Sequence, residues 1–146
     1  MFLASILLLA SAQQPAPSTP AIASGTFDVT VAPQAGAEGP IGVLALAKTY
    51  QGDLSAKADG RMLGGGAPDG GTASYVALEQ VTGTLRGRKG SFMLQHSGWM
   101  HAGKQVMTVA IAPGSGTGGL AGIGGTMTIT IEGKMHRYQL RYTLPE

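Results

Sequence analysis

The stretch from Ser74 to His101, SYVALEQVTGTLRGRKGSFMLQHSGWMH, leaves this chain few folds to choose from. Two runs of alternating character flank Arg86-Gly87-Arg88-Lys89-Gly90, and alternation sends successive side chains to opposite faces of a pleated strand. In the first run Tyr75, Ala77, Glu79 and Val81 share a face, opposite Ser74, Val76, Leu78 and Gln80. In the second, Phe92, Leu94 and His96 share a face, opposite Ser91, Met93, Gln95 and Ser97. The glycines between them permit the positive φ of a tight turn, so the stretch reads as a β-hairpin.

A related pattern recurs. TGTLRGRKGSFMLQ (82–95) aligns without gaps on TGGLAGIGGTMTIT (117–130), and a weaker echo starts at Gly52-Asp53-Leu54. Strand end, glycine turn and new strand are used twice, which suggests an antiparallel meander rather than strands alternating with helices. The alignment sets Phe92 on Met127, Leu94 on Ile129 and His96 on Ile131. His96 is therefore the polar exception on an otherwise apolar face.

The remaining segments extend the pattern. Thr26–Val31 alternates with Phe27, Val29 and Val31 inward, and Ile41–Tyr50 and Leu54–Leu63 follow as strands. Gly64 to Gly71 reads as a mobile loop. Gln105–Ala112, Thr126–Ile131 and His136–Leu144 complete a set of eight, the last placing His136, Tyr138, Leu140 and Tyr142 on the core side. The expected fold is all-β: a single closed antiparallel eight-stranded β-barrel. The 146 residues suffice for one such domain, with 24 glycines for turns and only 12% charged residues.

Phe2–Ala12 is an uncharged apolar run too short to span a membrane, and it ends in Ala10-Ser11-Ala12. It reads as a secretory signal peptide over 1–12, although no Lys or Arg precedes it. A Pro-rich flexible linker over 13–24 and a barrel over 25–146 follow. The expected location is periplasmic or secreted, with no stable membrane anchor after cleavage.

Composition excludes several chemistries. No cysteine is present, so disulfides, thiolate catalysis and Cys-based zinc sites are out. A net charge of +2 and 5% aromatics give no basis for nucleic-acid binding. Gly114 to Gly119 formally matches G-x-G-x-x-G, but no helix follows to hold a phosphate. His96 and His101, five apart, would face opposite ways on one strand, so no metal clasp is expected. No cofactor is implied.

Several segments carry a family resemblance: Gly25-Thr26-Phe27-Asp28-Val29-Thr30, Gly52-Asp53-Leu54, Tyr75-Val76-Ala77-Leu78-Glu79, Thr82-Gly83-Thr84-Leu85, Gly90-Ser91-Phe92-Met93-Leu94-Gln95-His96-Ser97-Gly98 and Pro113-Gly114-Ser115-Gly116-Thr117-Gly118. They resemble the bacterial domain-of-unknown-function family 3224 (DUF3224) over nearly everything from Gly25 to Leu144. The resemblance implies a barrel similar to allene oxide cyclase and implies no established activity.

Glu79 and His96 are the candidate proton-transfer pair. A register pairing Arg86 with Lys89 sets them directly opposite, with Cβ atoms about 4.5–5.5 Å apart. Tyr75, Phe92, Tyr138, Tyr142 and Trp99 are candidate ligand-binding residues, the tyrosines orienting an oxygen and Trp99 forming a lip. Three readings stay open: an exported barrel binding a small, largely apolar molecule; a cofactor-free cyclase or isomerase using Glu79 and His96; and a structural barrel filled by Phe27, Phe92, Met127 and Tyr138. A binder needs an open cavity of roughly 300 Å³ or more, and an enzyme needs that cavity to reach Glu79 or His96. Any homo-oligomer would have to use the outer faces, because closure removes sheet edges.

Overall fold

The computed structural model describes residues 18–35 and 39–145 of the chain. The proposed signal peptide and the first part of the linker lie outside the described residues. Nine strands follow in order: β1 (Ala21–Pro33), β2 (Ile41–Gly52), β3 (Leu54–Ala67), β4 (Thr72–Leu85), β5 (Arg88–His101), β6 (Lys104–Ile111), a two-residue β7 (Thr117–Gly118), β8 (Gly124–Glu132) and β9 (Met135–Thr143). The first begins at Ala21, so residues 21–24 of the expected linker belong to the barrel, with Ala23 fully buried. Gly64-Gly65-Gly66, read above as loop, continue β3 and pair with Tyr75, Ser74 and Ala73 of β4. Among the described residues the one helical element is a single 3₁₀ turn at Pro68–Gly70.

Every long strand is antiparallel to its neighbours, in the circuit β1-β2-β3-β4-β5-β6-β8-β9, and β9 returns to pair with β1. The expected eight-stranded closed barrel is what forms. Tight turns set the local registers. Arg86-Gly87 and Ala102-Gly103 each have positive φ at both central residues (45° and 82°, 49° and 77°), the primed geometry whose twist suits adjoining strands. The first of these turns pairs Leu85 with Arg88 rather than Arg86 with Lys89. Glu79 therefore lies opposite Leu94, and His96 opposite Ala77. The correction is a shift of two residues, which leaves every side chain on the face assigned by alternation.

The seams are unequal. β3 and β4 pair along their full length, from Leu54↔Leu85 to Ala67↔Thr72. β6 and β8 pair only at Val109↔Met127 and Ala110↔Thr126.

The two ends of the barrel also differ. At one end Leu54, Leu85, Phe92 and Leu140 fill the interior together with Leu120 and Ile123, all essentially buried. Leu120 and Ile123 come from the second copy of the repeated pattern, which does not form a hairpin as the first copy does. Gly118 and Gly122 take positive φ, and successive turns (Leu120 N to Thr117 O, Ile123 N to Leu120 O) fold the segment across the barrel end. The Pro113–Gly118 motif anchors this plug. Ser115 Oγ accepts from the Met93 N–H at 3.0 Å, and Thr117 Oγ1 accepts from the Ser91 N–H at 3.1 Å. Tyr138 crosses the same region, its hydroxyl accepting from the Leu54 N–H at 2.9 Å. Its ring occupies the space that a side chain at Gly25 would need. Outside this end, Asp53 accepts from the Ser24 N–H and pairs with Arg86 at 3.1 Å, tying β1 to the β4–β5 turn.

At the other end the interior is open. Val31, Met107 and Ile131 belong to the inward-facing sets of β1, β6 and β8, yet are 46, 45 and 57% exposed.

Candidate functional site

The polar exception at His96 is one member of a buried tetrad. Glu79, on β4, is 1% exposed, and Lys48 and His96 are nearly as deeply enclosed. Glu79 Oε2 accepts from Lys48 Nζ at 2.7 Å, and Oε1 accepts from the Tyr50 hydroxyl at 2.6 Å. His96 Nε2 lies 3.0 Å from Glu79 Oε2 without the alignment of a hydrogen bond, and is the one buried side-chain polar atom among the described residues left without such a bond. The approach is a close polar contact and not a hydrogen bond, because its distance is short but its direction is wrong for donation.

Local sequence explains how these four meet. Lys48 and Tyr50 are two apart on β2 and so share the inward face. Between them and Glu79 runs β3, whose inward positions Ala56, Ala58 and Gly60 are small. Lys48 reaches over that shallow wall. At Gly60 the requirement is strict: a Cβ there would come within 3.3 Å of Glu79 Cβ and closer still to the Leu78 carbonyl. On the other side, Glu79 and His96 are diagonal neighbours across β4 and β5, a separation that long side chains span. The Lys48 ammonium also sits 4.8 Å from the Phe27 ring centroid, and His136 stacks on Phe27 at 5.0 Å.

The electrostatics follow from these partners. Burial alone would push the Glu79 carboxyl up. The nearness of His96, the charge and hydrogen bond of Lys48 and the Tyr50 hydroxyl together outweigh it and hold the group below its ordinary value of 4.5. Burial, then the Glu79 charge and hydrogen bond, push the Tyr50 phenol well above its usual range, so it stays a donor. A carboxyl whose pKa is lowered in the folded state adds stability above its unfolded pKa and loses it as pH falls through the folded one. Unfolding free energy should therefore decline on acidification below about pH 4.5, the range where an unperturbed carboxylate titrates. Urea unfolding at a series of pH values checks this. A variant lacking both Lys48 and Glu79 charges should show a shallower decline, and an equal decline would assign the effect elsewhere, Asp53 being the next such carboxyl.

The structure thus brings Glu79 and His96 together as the sequence suggested. It adds Lys48 and Tyr50, which the sequence reading passed over. A signal was present: Leu44, Leu46, Lys48 and Tyr50 share a parity, so Lys48 is a polar exception on an apolar face just as His96 is.

The proposed ligand-contacting residues divide. Tyr75 is half-buried near the open end, where its ring packs over Gly98. Phe92, Tyr138 and Tyr142 are buried in the closed-end core. Trp99 points outward, because it shares the parity of Gln95 and Ser97, and is 44% exposed. It forms no lip on the interior. His101 is exposed and meets Thr72. Among the described residues no cluster of three metal-ligating side chains occurs.

A family model described as "Protein of unknown function (DUF3224)" matches residues 23–142. The chain belongs to the DUF3224 family. A crystal structure of a DUF3224 protein of unknown function from Shewanella oneidensis MR-1 is 40% identical. The match covers 88% of this chain and 100% of that one, with a TM-score of 0.80. No curated protein matches. Several segments typical of this DUF3224 chain have structural tasks: Gly90 lies against Thr117 and Leu120, and the Pro113–Gly118 motif fastens the plug.

Proposed function

We propose that this protein binds a small, largely apolar molecule at the open end of the barrel, with the Glu79 tetrad as a brace beneath it. The observation that carries this reading is the contrast between the ends. Inward-facing Val31, Met107 and Ile131 remain exposed at one end while the other is sealed by Leu120 and Ile123. A cleft of about 430 Å³ opens there, lined by Gly42, Leu44, Met62, Gly64, Ala73 and Tyr75. That volume and apolar lining suit a small ligand. Glu79 is poorly placed for proton transfer: both its oxygens are engaged, it is nearly inaccessible, and its pKa is lowered rather than raised toward neutrality.

Fluorescence titration with the neutral apolar probe N-phenyl-1-naphthylamine tests the proposal. A Cβ at Gly42 would meet only the Gly64 carbonyl, at 3.9 Å, so Gly42→Leu should fill the cleft without distorting the strand. Wild type should bind the probe, and Gly42→Leu should weaken binding by about tenfold or more, on the order of 1.4 kcal/mol. Trp99→Ser should change nothing. No binding by wild type, or equal binding by Gly42→Leu, would remove the open end as a site.

A further inference from the structure

The outside of the barrel is not uniform. Along β8, β9 and β1 the outward positions are mostly polar, among them Thr126, Thr128, Thr130, Arg137, Gln139 and Arg141, with Ile22 and Met135 as isolated exceptions. Across β2 to β6, toward the open end, they include Ile41, Leu63, Val76, Leu78, Trp99 and Val106, all large, apolar and exposed, with the uncharged Ser74, Gln95, Ser97 and Thr108 between them. Register places them side by side: Leu63 pairs with Val76, and Trp99 pairs with Val106 and with Ser74. The charged residues at the border of this field are Arg61, with Asp59 two positions away on the same face of β3, and Lys104, two positions from Val106 on β6.

Five strands about 4.8 Å apart and three outward positions about 6.8 Å apart give a face of roughly 500 Å² measured along the curved sheet, polar positions included. Its six large apolar side chains, each 44–56% exposed, are what a partner would cover. An area of this order falls below the roughly 800 Å² per partner of a standard interface and suits a dimer that separates on dilution. The relief is specific. Trp99 projects beside a groove of about 520 Å³ whose floor is set by the small residues Gly65, Ser74, Ser97 and Gly98. One face thus carries both a knob and a notch, which is what a two-fold contact requires, since residue i of one copy meets j of the other and j meets i. Its charges stand at the border and not at its centre, so the face calls for no oppositely charged partner.

We propose that two copies of this chain pack face to face through the outer surface of β2–β6, each Trp99 entering the groove beside Gly65 and Ser74 of its twin. The inference is independent of ligand binding at the open end. Because Trp99 is the sole tryptophan, its emission reports coverage of this face directly. Sedimentation equilibrium at micromolar concentrations should give twice the chain mass, and dilution should shift the emission to the red as the dimer separates. Trp99→Lys and, independently, Val76→Lys should weaken association by about 30-fold or more, the scale of a central hot spot. Thr128→Lys, on the polar side, should leave it intact, and circular dichroism should show the same β spectrum for all. A wild-type monomer with solvent-exposed tryptophan emission overturns the proposal, including the case in which Trp99 shifts only on adding lipid vesicles. So does a dimer indifferent to both lysines.

Discussion

Glu79→Leu should lower folding stability by about 3–5 kcal/mol, because it strands the Lys48 ammonium in the barrel without its counter-charge. Nothing else within hydrogen-bond reach of Lys48 could replace the carboxylate: its remaining polar neighbour is the Tyr50 hydroxyl at 3.5 Å, a group that carries no charge. Removing both charges should cost much less. A Lys48→Met, Glu79→Leu double variant should recover about 2 kcal/mol of the loss, leaving about 1–3 kcal/mol for the Tyr50 hydroxyl, now buried without an acceptor. Tyr50→Phe on that background should recover part of the remainder. Urea unfolding of the four proteins measures the series. If Glu79→Leu proves neutral or stabilising, the tetrad is strained rather than satisfied. A functional demand on Glu79 and His96 would then be the better explanation of why the barrel tolerates it.

The second large effect concerns the sealed end. Leu120→Ala should destabilise by about 2–5 kcal/mol, the usual range for truncating an enclosed leucine whose surroundings cannot collapse. Leu120 is 1% exposed although it lies in a segment without a long strand, and Ile123 beside it is 2% exposed. Guanidinium unfolding gives the magnitude, and the naphthylamine probe should still bind at the opposite end. A loss below about 0.5 kcal/mol, the scale of an ordinary surface substitution, would mean that the 112–123 segment merely lies across the barrel without plugging it.

Much of this was legible from parity alone. Alternation placed Tyr75, Ala77, Glu79 and Val81 inward, and β4 turns these four toward the interior. Parity also held the answer for Trp99, which shares the face of Gln95 and Ser97 and so had to point outward. Two things lay beyond it. The turn at Arg86-Gly87 depends on a positive φ at an arginine, which no composition rule announces, while Gly90, a more obvious turn residue, is needed for close packing under Leu120. Depth along the barrel axis was equally hidden. Tyr138 and Tyr142 were readable as inward, but the end that fills depends on where the 112–123 segment crosses, and that is set by contacts between residues distant in sequence.

The short seam between β6 and β8 has a mechanical consequence. A ring of strands is as stiff as its weakest joint, and here seven joints are long while one holds at two paired positions. Past Val109 and Met127 no backbone ladder joins β6 to β8, and of the inward side chains there Ile129 packs on the core while Met107 and Ile131 stand about half exposed. Side-chain packing yields in small increments, whereas a ladder changes register only in whole residues. The barrel is therefore laddered over most of its circumference and open along one line, like a split collar, so a change in the diameter of its mouth would require no strand to re-pair.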